Sequence, residues 1–157
     1  MTEDKLYRDF KIEAKNPVHT LKNHTASVYC LCVLSDGRLA SGSADKSIII
    51  YNKETFQPDL IIKEHNNTIT CITQLSSGLT ASCSCDKTIK LFDIQGKKYN
   101  VIQTLNFHNN EVYKIIELKN KNLVSCSGDS SIIFFILKIT MNIKNMTKLK
   151  QMVLVLQ

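Results

Sequence analysis

The sequence contains no tryptophan and no long apolar segment. Its apolar runs at residues 28–34 and 132–137 have only seven and six residues, whereas a membrane-spanning helix needs about 20. The first eleven residues are mostly charged or polar and lack the apolar core of a secretory signal peptide. We therefore expect an intracellular protein, in the cytoplasm or the nucleus, that has no membrane partner.

Acidic residues are absent after Leu137, where the chain instead carries a basic tail. Four lysines lie there, namely Lys138, Lys144, Lys148 and Lys150. The whole chain has a net charge of +6, so subtracting these four leaves +2 on the preceding residues. A nearly balanced body does not predict a nucleic-acid groove, and we expect no nucleic-acid partner for it.

The residues that are present repeat themselves along the chain. Three blocks align without a gap, at residues 24–52, 65–93 and 108–136. Each block begins with His, has Ser seventeen residues later and Asp four residues after that, and ends near an aromatic residue. The matching residues are His24, Ser41, Asp45 and Tyr51; His65, Ser82, Asp86 and Phe92; and His108, Ser125, Asp129 and Phe135. Such self-similarity indicates a repeat architecture.

Each block is predicted to form three short strands, in the first block at residues 27–34, 39–43 and 47–51. Turn residues separate them, and Gly37 supplies a positive φ in the first turn. Residues 57–63 and 100–105 add a fourth strand between blocks. Four antiparallel strands per period of about 40–45 residues predict an all-β fold of propeller blades. The first strands are apolar on both faces, which predicts sheets sandwiched between neighbours.

The blocks resemble the WD-repeat family, whose pattern is close to HTASVYCLCVLSDGRLASGSADKSIIIYN and closer still to GLTASCSCDKTIKLFD. The resemblance covers residues 24–136 and implies a β-propeller that presents peptide-binding surfaces. It also implies that the His, Ser and Asp of each block join the aromatic position in a structural hydrogen-bonded set. The family has Trp at that position, so Tyr51 keeps a hydroxyl here, whereas Phe92 and Phe135 have no donor.

Further departures from the family concern single residues in the loops. The family places Gly before the His, where this chain has Asn23, Glu64 and Phe107. Phe at such a position predicts either strain or a different loop. Lys121 stands where the first two blocks have Gly, which makes the third block the least typical copy.

Two chemical alternatives are weaker than the structural interpretation. A His/Ser/Asp trio is also the composition of a catalytic triad, but it occurs once per block, whereas a catalytic site is needed only once. The pairs Cys30/Cys32 and Cys83/Cys85 lack the spacing of common zinc sites. We therefore expect no catalytic residue, no cofactor and no metal, and we expect the cysteines to fill the core.

The sequence divides into a polar lead at residues 1–15, three repeats at 16–137 and a basic tail at 138–157, in which residues 151–156 are a candidate for the last strand of the third blade. Residues 16–22 are predicted to form a strand ahead of the first block. Propellers typically carry about 4–8 blades, so three blades predict an open or partial propeller with an apolar face on each terminal sheet. Three interpretations stay open: part of a longer propeller, a homodimeric ring of six blades, or completion of a partner's open propeller.

The predicted function is a non-catalytic scaffold that binds a protein or peptide partner and no small-molecule substrate. Exposed loops on a rigid scaffold commonly carry function. The candidate contact residues are Thr25, Tyr29, Lys46, Asn67, Lys87, Asn110, Glu111 and Tyr113. Two alternatives are the propeller segment of a multidomain enzyme, such as a kinase or ubiquitin-ligase chain, and a propeller subunit associated with RNA or chromatin.

Overall fold

The computed structural model describes residues 18–136, which form strands and turns. The strands are β1 (Val28–Val33), β2 (Leu39–Ser43), β3 (Ile48–Tyr51), β4 (Pro58–Ile62), β5 (Ile69–Gln74), β6 (Thr80–Ser84), β7 (Ile89–Gln95), β8 (Lys98–Leu105), β9 (Val112–Glu117), β10 (Leu123–Ser127) and β11 (Ile132–Phe135). Within the described range no helix is long and apolar enough to cross a membrane. The predicted polar lead and the basic tail, with its candidate strand, lie outside this range.

The strands form three antiparallel sheets, which we call blades 1, 2 and 3. Blade 1 has the strand order β1-β2-β3-β4, blade 2 has β5-β6-β7-β8, and the described part of blade 3 has β9-β10-β11. The register repeats from blade to blade, pairing Leu31 with Ser41, Ile72 with Ser82 and Ile115 with Ser125. The all-β class and the strand pattern predicted from the sequence are therefore confirmed.

Tight turns join the strands, and several of them need left-handed backbone. Gly37 and Gly78 have φ of 88° and 89° in the turn between the first and second strands. Lys121 takes the same place in blade 3 with φ of 70°. Glycine adopts this conformation without strain, whereas a residue with a Cβ does not. Blade 3 therefore forms the same turn at an energetic cost.

The blades pack face to face through two apolar clusters. The cluster between blades 1 and 2 contains Ile48 and Ile50 from blade 1 and Ile69 and Ile72 from blade 2. Its counterpart between blades 2 and 3 contains Ile89, Leu91, Val112 and Ile115. The first strand of each following blade therefore lies on the central strands of the blade before it, and burial of these side chains is the main apolar contribution to stability.

Gly42 allows the first of these contacts to be close. A Cβ added at Gly42 would lie 2.6 Å from Cγ2 of Ile69, which is shorter than van der Waals contact. The backbone of β2 therefore lies directly against the side chains of β5.

Each blade has an incoming face, towards the preceding blade, and an outgoing face, towards the following one. The incoming face of blade 1 and the outgoing face of blade 3 are open to solvent in the described structure. Val28 and Leu31 are 51% and 63% exposed on the former, and Ile132 and Phe134 are 65% and 67% exposed on the latter. The expectation that β1 lies between two neighbours is therefore wrong for one of its faces, whereas the apolar terminal faces of an open array are present.

Two local predictions differ from the structure. Residues 18–22 do not form a strand within the described residues, because no neighbouring strand lies there to accept their hydrogen bonds. Asn23, Glu64 and Phe107 have no positive φ, so the loop before each His differs from one that requires Gly. Phe107 is exposed and its ring lies 5.9 Å from that of Phe135.

Candidate functional site

In blade 1 the His24 imidazole bridges an aspartate and a serine from two other elements. Its Nδ1 lies 2.8 Å from Oδ2 of Asp45, and its Nε2 lies 2.6 Å from Oγ of Ser41. An ionised carboxylate only accepts hydrogen bonds, so Nδ1 carries the proton and donates it to Asp45. In the neutral imidazole Nε2 is then the acceptor, and the Ser41 hydroxyl donates to it.

The same bonds occur in the other two blades with nearly the same lengths. The distances from His to Asp and from His to Ser are 2.8 and 2.7 Å for His65 with Asp86 and Ser82, and 2.9 and 2.7 Å for His108 with Asp129 and Ser125. Ser82 and Ser125 are buried, at 0% and 1% exposure. The hydroxyls are therefore inaccessible to a substrate from solvent, although their bonds to His are as short as those of a catalytic triad.

Each aspartate accepts more hydrogen bonds than the sequence interpretation assigned to it. A hydroxyl two residues after the Asp donates to Oδ1 at 2.6 Å, from Ser47, Thr88 and Ser131. The backbone amide that follows each His donates to Oδ2, from Thr25, Asn66 and Asn109. The repeat alignment contains this signal, because each block has Ser or Thr twenty-three residues after its His.

A second serine of each blade ties the same turn to the same loop. The hydroxyl of Ser84 donates to the carbonyl oxygen of Asn67 at 3.2 Å and accepts from the amide of Asp86 at 3.0 Å. Ser43 and Ser127 make the matching bonds in blades 1 and 3. This serine also recurs at a fixed distance from the His, and sequence reasoning missed it.

These hydrogen bonds hold the pKa of the three aspartates well below the usual range. Burial by itself would raise the pKa of Asp86, but the hydrogen bonds, led by that from His65, lower the pKa by more than burial raises it. Burial is likewise the largest single influence at Asp45 and is likewise outweighed. At Asp129 the hydrogen bond from the Ser131 hydroxyl is the largest cause. Each carboxylate is therefore ionised at neutral pH and accepts throughout.

The aromatic position stays outside the hydrogen-bonded set in the described residues. Tyr51 and Phe92 are buried, at 3% and 0% exposure, and no bond joins the Tyr51 hydroxyl to Ser41 within residues 18–136. Phe92 instead packs edge-on against Tyr99, with ring centroids 6.1 Å apart. The position therefore contributes apolar contact.

The hydrogen-bonded sets place the candidate contact residues on one edge of all three blades. In each blade the loop before the first strand is bonded to the turn between the second and third strands, so both lie at the same edge, which we call the loop edge. Thr25, Lys46, Asn67, Lys87 and Asn110 are exposed there. Tyr29 and Tyr113, near the starts of β1 and β9, are 62% and 51% exposed.

Some candidate side chains at the loop edge are already engaged within their own blade. The Asn110 amide donates to the carbonyl oxygen of Gly128 at 3.2 Å and accepts from the backbone amide of Glu111. Asn67 accepts from the amide of Thr68. Burial, and after it the neighbouring Glu111 carboxylate, raises the pKa of the Cys85 thiol. Lys46 and Lys87, with φ of 69° and 72°, occupy the tips of the turns.

The six cysteines are unpaired, with Cys83 buried and the others half-buried. Cys71 on β5 lies opposite Cys83 on β6 in the strand register, and the hydrogen bond between the two thiols lowers the pKa of Cys71 to about 6. In the described part of the chain no group of three or more His, Cys, Asp and Glu has an arrangement that could hold a metal ion.

Four-stranded antiparallel sheets that stack face to face, each with one edge pinned by His, Ser and Asp, are blades of a β-propeller. Residues 15–52 and 56–93 match the family model described as WD domain, G-beta repeat. The chain is therefore a WD-repeat protein. Its third block is equivalent to these two in strand register and in the hydrogen bonds of its polar set.

The structure is similar to a crystal structure of the WD40 beta propeller domain of Doa1, with a TM-score of 0.68 and 22% sequence identity. The alignment covers 74% of this chain and 38% of that chain, so this chain spans less than half the length of the propeller it resembles. At this identity the likeness concerns the fold. No curated protein matches the sequence.

Proposed function

We propose that the chain is a non-catalytic protein-interaction scaffold that binds a protein or peptide at its loop edge. The supporting observation is that each of the three blades fixes its loop to its turn by the same His, Ser and Asp bonds. A rigid edge holds its exposed side chains in place before a partner arrives, which reduces the entropy lost on binding. Protein interaction without catalysis is the general role of WD-repeat propellers.

The buried hydroxyls favour this function over acyl transfer. A serine nucleophile must reach the substrate carbonyl while its His accepts the proton. Ser82 and Ser125 are buried, and His65 and His108 are 5% exposed. The same bonds recur in all three blades, which is expected of a structural cross-link, whereas a catalytic site is needed only once.

The chemistry of the loop edge favours a partner with acidic side chains. Lys46 and Lys87 stand at equivalent turn tips of adjacent blades and are exposed. Tyr29 of blade 1 and Tyr113 of blade 3 are exposed and add apolar ring surface and a hydroxyl, a combination common among binding anchors. We assign the contact to these four residues ahead of Thr25, Asn67, Asn110 and Glu111.

Charge reversal tests this assignment. We expect K46E/K87E to lose most of the capture of an acidic peptide partner selected with the wild-type chain. The matched control is K53E/K98E, which makes the same charge change at the opposite edge, where β3 ends and β8 begins. Equal capture by wild type and K46E/K87E in a titrated pull-down would remove the lysines from the site, and equal loss in both variants would indicate a general charge effect.

We also propose that the scaffold works inside the cell, in the cytoplasm or the nucleus. The six unpaired cysteines support this location, because secreted proteins of this size usually oxidise their cysteines to disulfides. Fluorescent tagging of the chain in its source cell would place it, and secretion into the medium would contradict the proposal.

A further inference from the structure

The incoming face of blade 1 has the side chains of a buried interface. Val28 and Leu31 occupy the positions of Ile69 and Ile72, which are 1% and 4% exposed in the junction between blades 1 and 2. Their own exposures are 51% and 63%. The same two positions in blade 3 are also fully buried, so this face is built to receive the outgoing face of a blade.

The outgoing face of blade 3 is the other half of that interface. Ile132 and Phe134 occupy the positions of Ile89 and Leu91, which are 1% and 2% exposed beneath blade 3. A shallow depression of about 220 Å³ opens on this face, lined by Ile116, Val124, Cys126 and Ile132 together with Lys114 and Ser125. The described residues thus expose one complete pair of complementary faces.

Residues 18–22 supply a third complementary part. Leu21 lies three residues before His24, as Ile62 lies before His65 and Leu105 before His108. Ile62 and Leu105 are 1% and 5% exposed, because β4 and β8 each complete the blade that precedes their His. The first repeat matched by the family model begins at residue 15, so it includes the stretch equivalent to β4.

From these three features we infer that two copies of the chain join head to tail into a ring of six blades. Blade 3 of each copy packs against blade 1 of the other and takes residues 18–22 of that copy as its fourth strand. A heterologous contact that closes after two copies forms a ring, and six blades lie within the usual range for propellers. Lys46 and Lys87 of the loop edge lie at turn tips outside these junctions, so the inference does not depend on what they bind. Tyr113 occupies the position of Thr70, whose hydroxyl donates to the carbonyl oxygen of Val112 across the junction between blades 2 and 3.

A second copy fits these faces because the chain already forms the same junction twice internally. Lys114 is the only charged side chain that lines the depression. It occupies the position that Cys71 has in blade 2, where the Cys71 Sγ lies 3.9 Å from the carbonyl oxygen of Ile115 in blade 3. Its ammonium group would donate to the corresponding backbone carbonyl of the second copy.

One polar contact of the internal junctions is missing at this one. Gln74 and Glu117 accept hydrogen bonds from the backbone amides of Ser35 and Ser76 across the two internal junctions, whereas the equivalent residue of blade 1 is Val33. Apart from the contact of Lys114, the junction between copies is therefore apolar, and we expect it to be weaker than the internal ones and to dissociate on dilution.

A disulfide cross-link tests the register directly. In the junction between blades 1 and 2, a Cβ at Gly42 would lie 2.6 Å from Ile69 Cγ2. In the junction between copies, the native Cys126 takes the place of Gly42 and Val28 takes the place of Ile69. V28C should therefore give a covalent dimer, at twice 17.8 kDa, when treated with diamide and run on a non-reducing gel. The two positions are in direct contact in the internal junction, and a disulfide needs such proximity.

The matched control is Y29C, which places a thiol on the adjacent residue but on the opposite face of β1. It should remain monomeric on the gel, and V28C/C126S should lose the cross-link. Equal cross-linking of Y29C and V28C, or none in V28C, would overturn the register.

The mass of the wild-type chain in solution tests the assembly itself. Light scattering at micromolar concentration should give twice 17.8 kDa, and L21K and L31K should shift the chain to the monomer. V101K makes the same change at a half-exposed outer-strand position and should leave the dimer intact, with circular dichroism confirming that all three variants fold. A wild-type monomer, whether its faces are covered by another part of its own chain or left open, would overturn the inference while leaving the loop-edge proposal standing.

Discussion

At the scale of the residue, one half-buried carboxylate per blade connects three separate segments. Asp86 accepts from the His65 imidazole, the Thr88 hydroxyl and the backbone amide of Asn66. Because a carboxylate has lone pairs for all of these donors, a single side chain fixes the loop, the turn and the His tautomer together. A substitution of this aspartate should therefore disturb the loop, the turn and the His tautomer together.

Asp86→Asn tests this role. The amide group would direct an NH2 towards donors that now find an acceptor, and loss of hydrogen bonds to a charged group costs about 2 kcal/mol. We expect the free energy of unfolding in urea to fall by roughly this amount. Asp93→Asn, at a half-buried aspartate whose recorded partner is Gln95, should change it by less than about 0.5 kcal/mol. Equal effects of the two substitutions would contradict the role of Asp86.

The lowered pKa of Asp86 also predicts the pH dependence of stability. A carboxyl group whose folded pKa is below its unfolded value near 3.8 binds its proton more weakly in the folded chain. Its contribution is complete above the unfolded pKa and declines as the pH falls towards the folded pKa. We expect the urea midpoint of the wild type to fall between about pH 5 and pH 3, and that of Asp86→Asn to fall less. If the urea midpoints of the wild type and of Asp86→Asn fell in parallel, groups other than Asp86 would control the loss of stability at low pH.

Thr80 presents the opposite case, because burial of its hydroxyl costs stability instead of connecting segments as the Asp86 carboxylate does. Its hydroxyl is fully buried and has no hydrogen-bond partner among the described residues. An unsatisfied buried hydroxyl costs about 1–3 kcal/mol, and Val has nearly the same shape. Thr80→Val should therefore raise the free energy of unfolding by about 1 kcal/mol. Thr104→Val removes an exposed hydroxyl that accepts from Lys90, and it should change that free energy by less than about 0.5 kcal/mol. Destabilisation by Thr80→Val would indicate a hidden partner for the hydroxyl.

At the scale of the element, strands could be predicted from the sequence because three aligned copies constrain one another. Residues 39–43 were predicted as a strand and form β2, and residues 57–63 contain β4. Residues 18–22 carry the same local signals but form no strand, because a strand needs a neighbour as well as a pattern. Likewise the spacing revealed His65, Ser82 and Asp86, but not that the aromatic position would stay outside their set.

Blade 3 offers a test of how much one turn residue matters. Lys121 has φ of 70°, where Gly37 and Gly78 have 88° and 89°, and a left-handed residue with a Cβ costs about 1 kcal/mol. We expect Lys121→Gly to raise the melting temperature and to increase the free energy of unfolding by about that amount. Lys119→Gly, in the same turn without positive φ, should lower stability slightly. Stabilisation by both would point to loss of charge rather than relief of strain.

At the scale of the whole molecule, stability depends on contacts between neighbouring blades, since blade 2 packs against blade 1 on one face and against blade 3 on the other. The count of three blades predicted an exposed apolar face on each terminal sheet, but not which side chains lie on it. Val28 and Ile132 look like interior positions of a strand, and only the arrangement of the blades places them on the open faces. In such arrays the stability is approximately a sum of blade and junction contributions, so a weakened junction should release one blade before the others.

Glu117→Val applies this reasoning to the junction between blades 2 and 3. The Glu117 carboxylate accepts from the amide and the hydroxyl of Ser76 at 2.8 and 2.7 Å, and Val reproduces the residue of blade 1 at this position. Loss of these exposed bonds should cost about 1 kcal/mol, concentrated at one junction. Amide hydrogen exchange should therefore speed up in β9 and β10 while β2 and β3 keep their protection. Glu54→Val, at an exposed position outside any junction, should change neither region, and uniform acceleration across all blades in Glu117→Val would show that the array opens as one cooperative unit.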